Sequence, residues 1–251
     1  MNAVFPSPAP IPSGDTFNPQ GRAVDAGRGW DWIVDAFALF RRQPGMWILA
    51  IILPGIALAL LSGIPVLGSL ANALLLPLLA AGYMRGCKDL DEGRTLELEH
   101  LLLGFKENTG NLVMVGVFNL VGWTIIIMAV VAVIGGGVFM GMMRGGALGA
   151  GMSIVSLLIA ALLVAGLLVP LYMATWFAPA LIVLHNMAPV AALKASFFAC
   201  LRNWVPFTVC SVVLLVFCVI AIIPVGLGYL VLIPVIIASV YTAYRDIFCA
   251  G

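Results

Sequence analysis

The sequence predicts an all-α integral membrane protein with six transmembrane helices in three hairpins, each hairpin preceded by an amphipathic helix at the membrane interface. Composition is the first observation: 63% of the residues are hydrophobic, 9% are charged and the mean hydropathy is +1.15. A soluble domain is about 45–50% apolar and about 25% charged. The second observation is that several apolar runs reach the roughly 20 residues needed to cross a bilayer. The third is a proline-centred apolar phrase that occurs three times and indicates three similar units.

Residues 1–28 are predicted to form a disordered cytoplasmic tail. Prolines stand at positions 6, 8, 10, 12 and 19 among small polar residues, so the segment has too little apolar surface to fold. We expect no cleaved secretory signal, and the first span would then direct insertion itself. Residues 29–251 are predicted to form a single membrane domain.

The first unit begins with an amphipathic segment over residues 30–42. Its apolar residues, including Trp30 and Phe37, recur at helical spacing on one face. We expect this helix to lie on the membrane surface with that stripe in the interface. Two spans follow at 46–64 and 66–84, and the uncharged turn between them makes an antiparallel hairpin.

The second unit starts where Thr95 can cap another amphipathic helix. Its spans are predicted over 112–140 and 152–184. The latter apolar run has 33 residues, about 50 Å as a straight helix. It must therefore bend or tilt, and Pro170 and Pro179 supply places for a bend.

Glycine recurs at every fourth position from Gly137 to Gly149, in the connection between these two spans. This spacing permits close helix packing if the helix continues that far. A flexible external loop explains the same glycines equally well. The sequence alone leaves both interpretations open.

The third unit starts with Pro189 as a first helical residue, followed by spans over 205–223 and 227–244. Phe37 and Phe197 are 160 residues apart, and the prolines of the two similar turns, at 65 and 224, are 159 apart. Such matching offsets predict an internal repeat. The predicted repeats cover residues 29–94, 95–187 and 188–248.

Three prolines inside the even-numbered spans make up the predicted ligand site. Pro77, Pro170 and Pro234 are each followed four residues later by alanine. Because proline cannot bond the carbonyl four residues earlier, each frees one acceptor inside its helix. Asn72 and Asn119 add polar side chains within the spans. The alternative is that the prolines only bend the helices and shape their packing.

The placement of charge predicts the orientation in the membrane. Eleven of the twelve Lys and Arg residues fall on the side of the termini, and Arg144 alone falls opposite. The positive-inside rule then places both termini in the cytoplasm. Aromatic and basic residues at the span ends are predicted to be interfacial anchors: Trp30, Trp32, Phe37, Phe40, Arg41, Arg202, Trp204, Tyr244 and Arg245.

Several kinds of chemistry are disfavoured by the sequence. No ionisable residue lies in the middle of a predicted span, which argues against a proton-coupled pump. The two histidines, His100 and His185, lack the spacing of a metal site, and the five cysteines include no Cys-x-x-Cys pair. We therefore expect no metal and no cofactor. The net charge of +1 likewise predicts no nucleic-acid partner.

Several short motifs carry a resemblance to a known family. They are Gly29-Trp30-x-Trp32-Ile33, Leu39-Phe40-Arg41, Phe177-Ala178-Pro179, Ala195-Ser196-Phe197 and Tyr241-x-x-Tyr244-Arg245-Asp246. Over residues 29–248 the chain resembles an uncharacterised proteobacterial family of six-span inner-membrane proteins. More distantly, it resembles the membrane domain fused to some glycerophosphodiester phosphodiesterases. No counterpart of their soluble catalytic domain is predicted, and the resemblance implies no catalytic residues.

Three classes of function follow from these observations. The preferred hypothesis is a non-enzymatic inner-membrane protein that binds or organises a lipid or other amphiphile, with membrane lipids and other inner-membrane proteins as partners. The alternative is a transporter or channel for a small, uncharged solute. An intramembrane enzyme is third, because no nucleophile is paired with a base and no carboxylates cluster near a metal.

Overall fold

The computed structural model describes residues 17–64 and 67–249, and within these it describes residues 146–153 by their backbone alone. The described chain is helical. Its helices are α1 Arg28–Arg42, α2 Pro44–Ser62, α3 Leu67–Asp91, α4 Glu99–Lys106, α5 Thr109–Arg144, α6 Gly146–Thr175, α7 Ala178–His185, α8 Pro189–Arg202, α9 Trp204–Ile222 and α10 Tyr229–Phe248.

Six helical segments of this described chain are long and apolar enough to cross a membrane. They are Pro44–Ser62, Leu67–Asp91, Thr109–Arg144, Ile154–His185, Trp204–Ile222 and Tyr229–Phe248. They form three consecutive hairpins, and the shorter helices α1, α4 and α8 precede them. The predicted fold class is therefore confirmed. The predicted turn residue Pro65 lies outside the described residues.

The second hairpin is the longest because helix continues through most of the glycine-rich stretch. α5 has 36 residues, about 54 Å at 1.5 Å per residue. Gly145 ends it with a φ of +62°, a conformation that favours glycine. α6 begins at the next residue and packs along α5. The stretch from Gly137 to Gly149 is thus the helical tip of a hairpin and not an extended loop, and Gly141 is buried there.

The fourth span bends where the sequence has its second proline. α6 ends at Thr175, and α7 starts at Ala178 with Pro179 in its first turn. Proline suits this position because the amide hydrogens of a first turn have no intrahelical acceptor. Pro170 lies inside α6 and does not end it. The break between the two helices therefore falls at residues 176–177.

The three short helices dock in a cyclic order. α4 packs on α3, α8 packs on α6, and α1 packs on α10, so each contacts the second span of the preceding hairpin and α1 closes the ring. Glycine permits these close approaches. A Cβ built on Gly104 of α4 would lie 2.2 Å from the carbonyl oxygen of Leu78 on α3, and one on Gly29 of α1 would lie 2.2 Å from that of Pro206 on α9, which α1 also contacts. This order is what three repeats would produce, but the repeat itself stays a prediction.

Residues 17–27, which the sequence predicts to be part of a disordered tail, instead lie against the bundle. The backbone amides of Asn18 and Arg22 donate to the carbonyls of Phe248 and Ile247, each at 2.9 Å. The amide of Val24 donates to the side chain of Asn203 at 2.8 Å. These contacts with distant helices supply the partners that the local sequence lacks. The rest of the predicted tail, residues 1–16, lies outside the described residues.

Candidate functional site

All three hairpins contribute to a partly open cavity of about 430 Å³, which we call the central cavity, lined by residues of α2, α3, α5, α6, α7 and α10. Ligand pockets in proteins commonly measure about 300–1,000 Å³. α2 packs mainly against α3 and α10. The space between α2 and the second hairpin is therefore not filled by close helix packing. Ile51, Pro54, Gly55 and Leu58 form the wall on α2, and nothing lies within 4 Å of a Cβ built on Gly55.

One polar atom at this cavity has no partner. Among the described residues, three buried side-chain polar atoms make no hydrogen bond, those of Trp47, Asn72 and Asn119, and only Asn119 lines the cavity. Its Oδ1 is a hydrogen-bond acceptor, and an unsatisfied buried group costs about 1–3 kcal/mol. The last torsion of asparagine is broad. A rotation of the amide can therefore turn the oxygen toward a donor in the cavity.

Two other polar side chains on the wall, Tyr83 and Thr175, make hydrogen bonds within the protein. The hydroxyl of Tyr83 donates to the carbonyl of Ala50 at 2.7 Å. That of Thr175 donates to the carbonyl of Leu171 at 3.0 Å. The described lining includes no ionisable Asp, Glu, Lys, Arg or His residue. The cavity thus combines largely apolar walls with one buried acceptor that has no partner among the described residues, the Oδ1 of Asn119.

The prolines predicted to form a ligand site are placed unequally. Pro77 is buried and lines the cavity. Pro234 is buried, and its neighbour Ile233 lines the cavity. Pro170 is exposed on α6 and lies off the described lining. The structure thus brings two of the three prolines close to one site.

The carbonyls that these prolines free lie elsewhere. Ala73, Gly166 and Leu230 are not among the described lining residues. The carbonyl of Ala73 faces α5, where a Cβ on Gly116 would lie only 2.9 Å from it. Asn72 donates to the hydroxyl of Ser62 at 2.7 Å and also lies off the lining. A site built from the three carbonyls stays a prediction that this lining does not support.

The predicted interfacial anchors fall into two groups. Five are exposed on the bundle surface: Trp30, Phe37, Arg41, Arg202 and Trp204. Three are buried in the core: Trp32, Phe40 and Tyr244. Trp32 is buried because α1 docks on α9, where its ring lies 5.2 Å from that of Phe207. The remaining one, Arg245, lies in a network of ion pairs.

Asp246 is the centre of a polar network that was not predicted from the sequence. Its side chain is only 4% exposed and accepts hydrogen bonds from Arg22 at 2.5 Å and Arg28 at 2.6 Å. The indole nitrogen of Trp32 donates to it at 2.9 Å. The network therefore ties the N-terminal segment and α1 to the end of α10. The Tyr-Arg-Asp motif at residues 244–246 was the sequence signal that could have indicated it.

A second part of this network joins three helices. Arg245 contacts both carboxylate oxygens of Asp91 at 2.8 and 2.9 Å, and the hydroxyl of Tyr241 donates to Asp91 at 3.0 Å. The same guanidinium reaches Asp35 of α1 at 3.3 Å. Burial raises the pKa of Asp35 above its ordinary value, and the guanidinium groups of Arg245 and Arg28 oppose that rise. Arg245 thus forms ion pairs with two carboxylates, those of Asp91 and Asp35.

Both histidines have partners within the protein. His100 contacts Asp89 at 2.8 Å through Nε2, and its Nδ1 accepts from the backbone amide of Glu97 at 3.0 Å. His185 contacts the hydroxyl of Tyr244, and its ring stacks on Phe17 with centroids 3.5 Å apart. Across the described residues, no three His, Cys, Asp or Glu side chains are grouped to hold a metal ion.

No family model matches the chain, and no solved structure matches it. A protein of Burkholderia thailandensis described as a probable inner membrane protein is 34% identical over 194 residues, which cover 74% of this chain and 72% of that relative. The more distant resemblance to membrane domains of phosphodiesterases stays a prediction. With its six apolar spans, this chain belongs to the same family as that protein and is a multi-pass inner-membrane protein of bacterial type.

Proposed function

We propose that this protein is a non-enzymatic membrane protein that binds a lipid or other amphiphile in its central cavity. The observation that carries the proposal is the unpartnered Oδ1 of Asn119 at a cavity to which all three hairpins contribute. A bound donor would satisfy this oxygen and offset its desolvation. Membrane lipids are the partners that the bilayer supplies at this depth. Other inner-membrane proteins remain proposed partners, and nucleic acid is not one.

The wall chemistry supports a particular class of amphiphile. Side chains such as Ile51, Leu76 and Ile237 favour a hydrocarbon chain. The lack of an Asp, Glu, Lys, Arg or His side chain in the described lining disfavours a charged ligand group, because a buried charge needs a partner. An uncharged hydroxyl or amide donor satisfies both conditions. No feature of the described lining specifically favours the transport alternative.

Replacing Asn119 by leucine tests this proposal. We expect retention of the co-purified amphiphile to fall about tenfold, because one hydrogen bond contributes about 1–1.5 kcal/mol. The ligand-free protein should become about 1 kcal/mol more stable, because an unsatisfied acceptor is removed. Native mass spectrometry after purification in mild detergent measures retention, and thermal unfolding measures stability.

Asn72→Leu is the matched control, because the Oδ1 of Asn72 is also buried without a partner but lies off the cavity lining. It should leave retention unchanged. Equal retention by the wild type, Asn119→Leu and Asn72→Leu would reject the cavity as the binding site. Solute flux in liposomes by a protein that retains no amphiphile would favour the channel alternative.

We also propose that both termini lie in the cytoplasm, on the basis of the one-sided distribution of Lys and Arg. Alkaline phosphatase, which is active only outside the cytoplasm, should be active when it is fused after Arg144 at the hairpin tip. The same reporter fused after Gly251 should be inactive. Activity at the C-terminus together with inactivity after Arg144 would reverse the orientation.

A further inference from the structure

A second and larger space lies on the outer side of the third hairpin. It is a groove of about 600 Å³ between α1, α9 and α10. Val231, Leu232 and Val235 line it on α10, whereas Ile233 and Ile237 of the same helix line the central cavity. The described linings of the two spaces share no residue. α10 therefore separates two independent sites.

The groove changes from polar to apolar along its length. Its two charged lining residues, Asp35 and Arg41, both lie on α1. The rest of the described lining is apolar, and at the far end it reaches Pro224 and Gly228 in the turn between α9 and α10. Asp35 contacts Arg245 in the last turn of α10, whereas the turn with Pro224 and Gly228 precedes the first residue of that helix, so the charged end and the turn lie at opposite ends of α10. A phospholipid has the same polarity, with a charged head group at the interface and acyl chains in the hydrocarbon.

The carboxylate of Asp35 is weakly compensated by the protein. It forms a 3.3 Å ion pair with Arg245, and that arginine holds Asp91 more closely at 2.8 Å. Arg28 is engaged by Asp246 at 2.6 Å and by Asp31 at 3.1 Å. Burial raises the pKa of Asp35 despite both arginines. A further cation that approached from the groove would therefore stabilise the ionised carboxylate.

The spacing of the two charges suits a compact zwitterion. Arg41 follows Asp35 by six residues, about 9 Å along the helix axis. The long arginine side chain can shorten this separation toward that of the phosphate and ammonium of an ethanolamine head group. Arginine also matches the geometry of phosphate oxygens. The two residues together can thus contact both charges of one head group.

We propose that this groove binds a phospholipid with an ethanolamine head group. Its ammonium donates hydrogen bonds to Asp35, its phosphate accepts from Arg41, and an acyl chain lies between α9 and α10. A choline head group has no N–H to donate, and a glycerol head group has no cation. Neither offers Asp35 the same interaction.

Lipid titrations of the full-length, delipidated protein in detergent test the proposal by native mass spectrometry. The probes are phosphatidylethanolamine, phosphatidylcholine and phosphatidylglycerol with identical acyl chains. The wild type should bind the ethanolamine lipid about tenfold more tightly than the other two. Asp35→Asn should abolish this preference and leave the affinity for phosphatidylglycerol unchanged or higher. Asp31→Asn, on the same helix but off the lining, should keep the preference.

Two further variants test whether the lipid occupies the groove itself. Ala38→Trp should fill the groove and weaken binding of all three lipids, and Asn119→Leu in the central cavity should leave the head-group preference intact. Equal affinities of the wild type for the three lipids would overturn the proposal. A preference that persists in folded Asp35→Asn, or binding that is unchanged in Ala38→Trp, would overturn it as well.

Discussion

Asp246→Ala should destabilise the folded protein by about 2–3 kcal/mol. Removing one partner of a buried ion pair typically costs about 3–5 kcal/mol, because the other charge is left uncompensated. Here the side chains of Arg22 and Arg28 are 43% and 37% exposed, so water can partly solvate them once the carboxylate is gone. The expected loss is therefore below that range.

Thermal unfolding in detergent, followed with a thiol-reactive dye, measures this effect because Cys87 and Cys200 are buried in the native state. Asp31→Ala is the control: its carboxylate is 49% exposed and pairs only with Arg28 among the described ion pairs. It should cost less than about 0.5 kcal/mol. Equal effects of the two variants would show that Asp246 does not hold the N-terminal segment and α1 to α10.

Gly104→Ala should destabilise the protein by about 1–3 kcal/mol, the usual range for overpacking. The added methyl would lie 2.2 Å from the carbonyl oxygen of Leu78 and 2.8 Å from its carbonyl carbon. Both atoms belong to the backbone of α3, so α4 must move away. Intrinsic helix propensity acts in the opposite direction, because alanine is favoured over glycine by about 0.5–1 kcal/mol.

Gly110→Ala is the matched control, because nothing lies within 4 Å of a Cβ at that position in the first turn of α5. Propensity should dominate there, and the variant should be neutral or slightly more stable. Thermal unfolding should therefore show a lower melting temperature for Gly104→Ala and an unchanged or slightly higher one for Gly110→Ala. A stabilised Gly104→Ala would contradict the close docking of α4 on α3.

The two glycines also illustrate what a sequence can convey about packing. Gly104 lies within α4, and Gly110 lies in the first turn of α5. The residues next to each glycine in the sequence do not show that only Gly104 touches the backbone of another helix. That contact depends on α3, whose Leu78 lies 26 residues before Gly104. The helix propensity of each residue can therefore be predicted from the sequence. The contact with a distant helix that makes alanine destabilising at position 104 cannot.

The candidate sites show the same division. Asn119 and Pro77 could be selected from the sequence because a polar group or a proline is conspicuous in an apolar span. The sequence alone could not show whether the three freed carbonyls converge, and the described lining of the central cavity contains none of them. The groove beside α1 could not be predicted, because Asp35 and Val231 are 196 residues apart in the chain.

The sequence by itself determined the spans and their pairing into hairpins. An apolar run of about 20 residues in a bilayer must satisfy every backbone group internally, so only a helix is available to it. Only the tertiary structure decided which face of α1 is buried, placing Trp32 in the core and leaving Trp30 49% exposed. Both rings belong to one short helix but to different faces of it, and which face is buried depends on the contacts of α1 with α9 and α10. Those helices lie more than 160 residues away in the chain, so no local property of α1 encodes the contact.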